Sequence, residues 1–334
     1  MFKNEDFVEA SAYLRVLEKR MLNSDSFNRI MDAPNALEAM RLITQNSSYD
    51  FNSLKRVEDY ELVIRAELKK SYDLLYSRSK HREVIDIAAA KYDFHNIKVA
   101  MKAKFMGRDM AGLYSELASE DSAKLAACVK ETAAQTQLPV YVQEAVRAVE
   151  ADYAETKDPQ MIDIILDQRM FGRMLELSEI VGNDFILHYV QLSIDYYNIK
   201  TMLRVKGMQK GTGFLHKALA PGGLTNLNVM MKNYDKTPEL LRTAFFYRYF
   251  GNQINTGIEN YQKTGNFSLL EKLFDDSLIE ETKKVKTVAF GPEILFAYLL
   301  SKENEARQIR IIVTCKNNNI KTDTLRERLR DNYA

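Results

Sequence analysis

One phrase of twelve residues constrains this chain more than any other feature. It reads DFHNIKVAMKAK from Asp93, DYYNIKTMLRVK from Asp195 and, more diverged, EARQIRIIVTCK from Glu305. All three follow one pattern: an acid, two variable residues, an amide, Ile, a base, five variable residues and Lys. The start positions differ by 102 and then 110 residues, too far apart for the roughly 20–50-residue units of a solenoid. Such a recurrence predicts three copies of one domain-sized unit, at 1–106, 107–210 and 211–334, the last with a short C-terminal helix.

The rest of the sequence supports a helical reading of those units. The 334 residues are 46% hydrophobic and 28% charged, ample for a core and for two or three domains. Six prolines and thirteen glycines fall in a few places, and no Val-, Ile- or Thr-rich alternating runs bounded by turns predict strands. Residues 56–78 and 80–105 read as two long amphipathic helices, the first with Leu62, Arg65, Ala66, Leu68, Tyr72 and Leu75 on one stripe. Helices follow at 139–155, 159–177, 182–206, 237–262 and 267–284. Pro139 and Pro159 lie near helix starts, with Asp158 as an N-cap. Gly291-Pro292 opens the helix of the third phrase, and Thr322 or Asp323 caps a terminal one. Breaks are expected at Met106–Gly112 and at Gly207–Gly223, the second as an interdomain connection. Upstream of two phrases, MIDIILDQRMFGRML (161–175) is similar to LLEKLFDDSLIEETK (269–283), so each unit ends in a helical pair with the phrase on its second helix.

At about 100° per residue the phrase has two faces. Asp93, Asn96, Ile97, Ala100 and Lys104 share the first, as do Asp195, Asn198, Ile199, Met202 and Lys206, and Glu305, Gln308, Ile309, Ile312 and Lys316. An acid and an amide on a packed face need partners, on neighbouring helices or on another copy. Lys98 and Lys102 lie opposite, matched by Lys200 and Arg204 and by Arg310 and Thr314. Two readings stay open for these faces: a satisfied packing motif with a solvated basic side, or three equivalent helices that meet around a pseudo-threefold axis and line a central space.

Several function classes find no support. A net charge of +1 gives no global field for nucleic acid or an anionic surface. Cys128 and Cys315 carry no partner motif and read as buried apolar residues of a reducing compartment. The N-terminus is charged from residue 3 and has no secretory h-region, and no apolar run reaches the ~18–20 residues of a membrane span. There is no G-x-x-x-x-G-K-[ST] loop, no H-E-x-x-H and no G-x-S-x-G elbow. His95 stands inside the first phrase, but Tyr197 and Arg307 replace it in the others, so a role common to the copies does not need imidazole. Asp163 and Asp167 share a helix face and read as surface charges. The run AFFYRYF (244–250) could mimic a nucleic-acid platform but reads as helix packing. No catalytic, cofactor-binding or metal-binding residue is expected.

Three ordered matches carry a family resemblance over essentially the whole chain. KYDFHNIKVAMKAK and DYYNIKTMLRVK resemble the first two signatures of the V/A-type ATPase central-stalk subunit, called C in bacteria and archaea and d in eukaryotes. FGPEILFAYLLSKENEARQIRIIVTCK resembles the third. The likeness is strongest to bacterial members, such as the C subunit of enterococcal sodium-pumping V-ATPases. The resemblance implies an all-α funnel of three similar helical-bundle units, pseudo-threefold, with a central cavity. It implies a non-enzymatic rotor part, cytoplasmic and peripheral to the cell membrane. Such a part seats on the membrane ring of c (K) subunits, receives the D–F axle and passes torque to ion transport, of sodium or hydrogen ions. In some states it approaches the peripheral a subunit. It takes no nucleotide and no nucleic acid. Asp93, Asn96, Lys104, Asp195, Asn198, Lys206, Glu305, Gln308 and Lys316 would be the repeated framework, and Lys98, Lys200 and Arg310 the polar lining that meets the axle. The alternative from the residues alone is a helical scaffold that binds a partner helix or peptide in a groove.

Overall fold

The computed structural model describes residues 2–131, 137–234 and 251–334, and among them the chain is all-helical with no strand. Fifteen α-helices follow one another among these residues. They are α1 Val8–Glu18, α2 Ser24–Met31, α3 Ala36–Asn46, α4 Tyr60–Arg78, α5 Glu83–Met106, α6 Ser122–Lys130, α7 Val140–Thr156 and α8 Pro159–Val181. Then come α9 Asp184–Gly207, α10 Thr212–Ala218, α11 Leu227–Asn233, α12 Gly251–Thr264, α13 Ser268–Lys283, α14 Pro292–Asn317 and α15 Thr322–Arg328. The three phrases lie on α5, α9 and α14. The front of the helix expected at 237–262, and the run 244–250, lie outside the described residues.

The described chain divides into two compact units. One spans Asp86–Asp235. Its core is built around Phe94, Ile97, Met101, Val129, Val142 and Leu166, all at most 2% exposed. The other joins Phe2–Ile85 to Lys236–Ala334. Here α14 is the central element: α1, α3, α4, α13 and α15 all pack against it. Its middle is buried on nearly every side, including Lys302, Glu303, Asn304 and Glu305, so it behaves as a core helix rather than an amphipathic surface one.

Local chemistry explains where the elements begin. Asn23, Asn35, Asp121, Asp158, Asn183 and Asn226 each accept a hydrogen bond from a backbone N–H in the first turn that they cap. Pro159 and Pro292 sit in the first turn of α8 and α14, where a missing N–H costs nothing. The terminal helix differs from expectation. Its N-cap is Lys321, without a side-chain cap, and Thr322 is already helical. The stripe on α4 is also rotated: Leu62 is 64% exposed, and Ile64, Leu68, Tyr72 and Leu75 are buried.

The phrase helices also end alike. Gly107, Gln209 and Asn319 occupy the same place after each phrase, and all three are left-handed, with φ of 62°, 55° and 52°. The next N–H closes a wide turn each time: Arg108 to the Ala103 carbonyl at 3.3 Å, Lys210 to Val205 at 3.2 Å and Ile320 to Cys315 at 2.9 Å. This is the Schellman closure of a helix C-terminus, repeated three times.

Candidate functional site: three buried clamps

The first face of each phrase is buried and holds a separate backbone segment. Asp93, Asn96, Asp195, Asn198, Glu305 and Gln308 are all at most 7% exposed. In the first copy the Asp93 carboxylate accepts from the Ser119 N–H at 2.6 Å, from its hydroxyl at 3.0 Å and from the Tyr141 hydroxyl at 3.3 Å. Asn96 donates to the Ser115 carbonyl at 2.9 Å and accepts from the Ser115 N–H at 2.7 Å. Lys104 donates to the Val129 carbonyl at 2.8 Å, at the end of α6, and to Glu150 at 2.6 Å.

The second copy repeats this chemistry. Asp195 accepts from the N–H of Thr225 at 3.0 Å and from its hydroxyl at 2.8 Å. Asn198 brackets Ala220, donating to its carbonyl at 2.8 Å and accepting from its N–H at 2.7 Å. Lys206 donates to the carbonyl of Tyr234 at 2.9 Å, just past α11. The side-chain amide pairs with both polar groups of one buried residue, as a neighbouring strand would. The ammonium meets the negative end of a short helix. Helices of 9 and 7 residues are too short to hold themselves, and the clamp supplies what they lack. The glycine-rich stretch after the second phrase is part of this clamp rather than a plain connection. It contains α10, and a Cβ at Gly223 would overlap the Asp195 carboxylate.

The third copy differs. Glu305 accepts from the N–H of Leu22 at 2.7 Å and from Lys302 at 2.7 Å. Gln308 donates to the Asp331 carbonyl at 3.4 Å, beside Asn304 at 2.8 Å. Lys316 donates to the Thr322 hydroxyl at 3.4 Å. The second variable position after each acid also reaches outwards: His95 sits 2.8 Å from the Leu113 carbonyl, Tyr197 donates to the Ala218 carbonyl at 3.5 Å, and Arg307 pairs with Asp275.

On the opposite face the basic residues meet acids of this same chain. Lys98 pairs with Asp167 on α8, and Lys102 with Asp163 at 2.7 Å. These two aspartates, expected to be surface charges, therefore hold α8 against α5. Arg310 grips Glu61 with two bonds of 2.8 Å. The charge of Lys200 acts on Asp167, favouring its ionised form.

Burial governs the electrostatics of the clamps. It pushes the Asp93 carboxyl up to about 6, against the pull of the Ser119 and Tyr141 donors. It also raises Asp195, against the two bonds from Thr225, and Asp167, against Lys98. Each carboxylate is occupied by donors that fix a backbone segment or a helix. Cys128 and Cys315 are free and buried. Among the described residues no group of three or more His, Cys, Asp or Glu is placed to hold a metal ion. The chemistry of these faces is that of rigid, polar-stapled helix packing.

The sequence pattern shows which residues of the phrase share a face but not what they hold. The signal that marks the partners is a set of N-cap residues, Asn23, Asp121 and Asn226. They recur at nearly the period of the phrase and follow the clamped Leu22, Ser119 and Thr225 by one or two residues.

Comparison with known proteins finds relatives that match nearly the whole chain. The sequence is 24% identical to the C subunit of the V-type sodium ATPase of Enterococcus hirae, over 98% of this chain and 99% of that one. It is 22% identical to the C subunit of the A-type ATP synthase of Methanocaldococcus jannaschii, over 97% of this chain and 86% of that one. It is also 22% identical to the C subunit of the V-type ATP synthase of Thermus thermophilus, over 92% and 93%. The family profile described as ATP synthase (C/AC39) subunit matches residues 10–328, which take in all three phrases, and the chain belongs to that family.

Proposed function

We propose that this chain is the non-catalytic rotor adaptor of a V-type ATPase, a socket that links the central D–F axle to the membrane c-ring and transmits torque for ion transport. In this reading the units 1–106, 107–210 and 211–334 form a pseudo-threefold funnel around a cavity. The observation that carries it is the recurrence of one buried clamp and one left-handed helix end on helices of 24, 24 and 26 residues. A torque-bearing part needs stiffness, and saturated buried polar groups and paired charges supply it. The adaptor works at the cytoplasmic face of the cell membrane, against the c-ring and, in some states, the a subunit. No helix among the described residues is long and apolar enough to cross a membrane, which agrees with a peripheral part.

Lys98, Lys200 and Arg310 are the proposed contacts to the axle. Lys98 and Arg310 already hold Asp167 and Glu61, so an acidic group of the axle would share or displace those pairs. The test is the affinity of the Lys98→Glu, Lys200→Glu and Arg310→Glu variants for a purified D–F complex. The expected result is a loss of at least tenfold, with helicity retained. Unchanged affinity removes these residues from the contact surface.

One observation favours the scaffold alternative. An open groove of about 880 Å³ is lined by residues of α12 to α15 and the turn after it, among them Asn260, Thr264, Arg310, Thr314 and Arg328. A soluble helical peptide that seats there, with no affinity for D–F, would support that reading instead.

A further inference from the structure

We propose that the third clamp is the seam of the molecule: it locks the two ends of the chain together, with α2 in the place that α6 and α11 take at the other clamps. Three independent sets of contacts point to this, and none depends on the rotor reading.

The acids come first. Asp93 holds the backbone two residues before Asp121, the N-cap of α6. Asp195 holds it one residue before Asn226, the N-cap of α11. Glu305 holds it one residue before Asn23, the N-cap of α2. All three N-caps use a side-chain oxygen. A clamp that in sequence order should reach forwards reaches back to the start of the chain.

The second faces follow the same order. Lys98 and Lys102 reach Asp167 and Asp163 on α8, the second helix after α6. Arg310 and Thr314 stand at the matching positions of the third phrase. They reach Glu61 and Tyr60, at the start of α4, the second helix after α2. The first phrase helix therefore grips the unit that follows it, and the third phrase helix grips the first unit.

The third set concerns what has changed at this joint. Ala90 and Leu192 stand where the third copy has Lys302. Lys302 is 3% exposed. It donates to Glu305 at 2.7 Å and to Ser48 at 3.2 Å, lies 3.5 Å from Glu67 and sits over the Tyr49 ring. The residues around the N-terminal segment are thus wired to α14 by a buried charge network that the other copies do without. The C-terminal tail crosses the same place. The Asp331 carbonyl accepts from Asn304 and Gln308, Asn332 accepts from Ser24, and Tyr333 donates to Glu18 at 2.9 Å. Arg326 pairs with Asp32 at the end of α2.

The joints differ in how the chain closes them. Asp93 and Asp195 meet partners 26 and 30 residues away, whereas Glu305 meets one 283 residues away. Loop-closure entropy grows with that separation, so the third joint carries the largest closure cost of the three. The longer Glu, the buried Lys and the tail act as its latch.

Hydrogen exchange on the full-length chain tests this. Glu305→Ala should raise exchange at least tenfold in residues 19–46 and 322–334 and leave residues 115–130 and 220–234 unchanged. Asp195→Ala should do the converse, loosening 220–234 only. Tyr333→Phe, a milder change, should show the pattern of Glu305→Ala at smaller amplitude and serves if that variant does not fold. Loosening confined to 322–334 in the Glu305 or Tyr333 variant would make the tail, and not α2, the clamped segment. Unchanged exchange at 19–46, or an equal rise at all three joints, would likewise overturn the proposal.

Discussion

A carboxylate at 7% exposure is costly to ionise even when well bonded, and Asp93 shows the balance directly. Its carboxyl is raised from an ordinary value near 3.8 to about 6. Because the folded form holds its proton more tightly than the unfolded chain, the stability this group confers is fully present below pH ~4 and is lost as pH rises through 6, by about 3 kcal/mol. Urea unfolding at both ends of that window should show wild type losing that much relative to Asp93→Asn, and equal losses would contradict the assignment. Asn198 makes a different case, since it satisfies both backbone groups of the fully buried Ala220. Replacing it with Ala strands two polar groups, and the expected loss is about 2–3 kcal/mol. The same replacement at an exposed Asn such as Asn46, whose amide meets one carbonyl of its own helix, should cost well under 1 kcal/mol.

At the scale of elements, the helices that sequence periodicity reveals are the long ones. Those at 159–177 and 182–206 match α8 and α9 closely, because their apolar residues recur at i, i+3, i+4 and i+7 and Asp158 and Asn183 cap them. The short helices α2, α6, α10 and α11 escape such a reading because 7 to 9 residues carry too little period, and at α2, α6 and α11 distant clamps complete what local propensity does not. The framework faces are legible because their long helices are. The partners Ser115 and Ala220 are not, since nothing local marks them as a clamp's target, and Ser119 and Thr225 are marked only indirectly, by the N-cap residues Asp121 and Asn226 that follow them. The helix ends offer a direct check. Gln209 holds a left-handed φ of 55° where Gly107 stands in the first copy. Gln209→Gly should stabilise the chain by about 1 kcal/mol and Gly107→Ala destabilise it by a similar amount, read as opposite shifts in thermal midpoint. The same sign for both would mean that the turn is held by something other than its backbone geometry.

For the molecule as a whole, repetition tells more than any single site. Three similar helices carry acid, amide and lysine on one side and basic or polar residues on the other, and both sides are engaged within the chain. Such a body gains rigidity from many modest contacts rather than one dominant one, which suits a part that carries load between partners. The most direct measurement is ATP-driven ion transport in vesicles that hold a V-type ATPase stripped of its own central-stalk adaptor. The account predicts that ATP hydrolysis by the head is uncoupled from transport until this chain is added, and that coupling returns in proportion to the amount bound. Transport that is fully coupled without the chain, or uncoupled while the chain is bound between axle and ring, would contradict it.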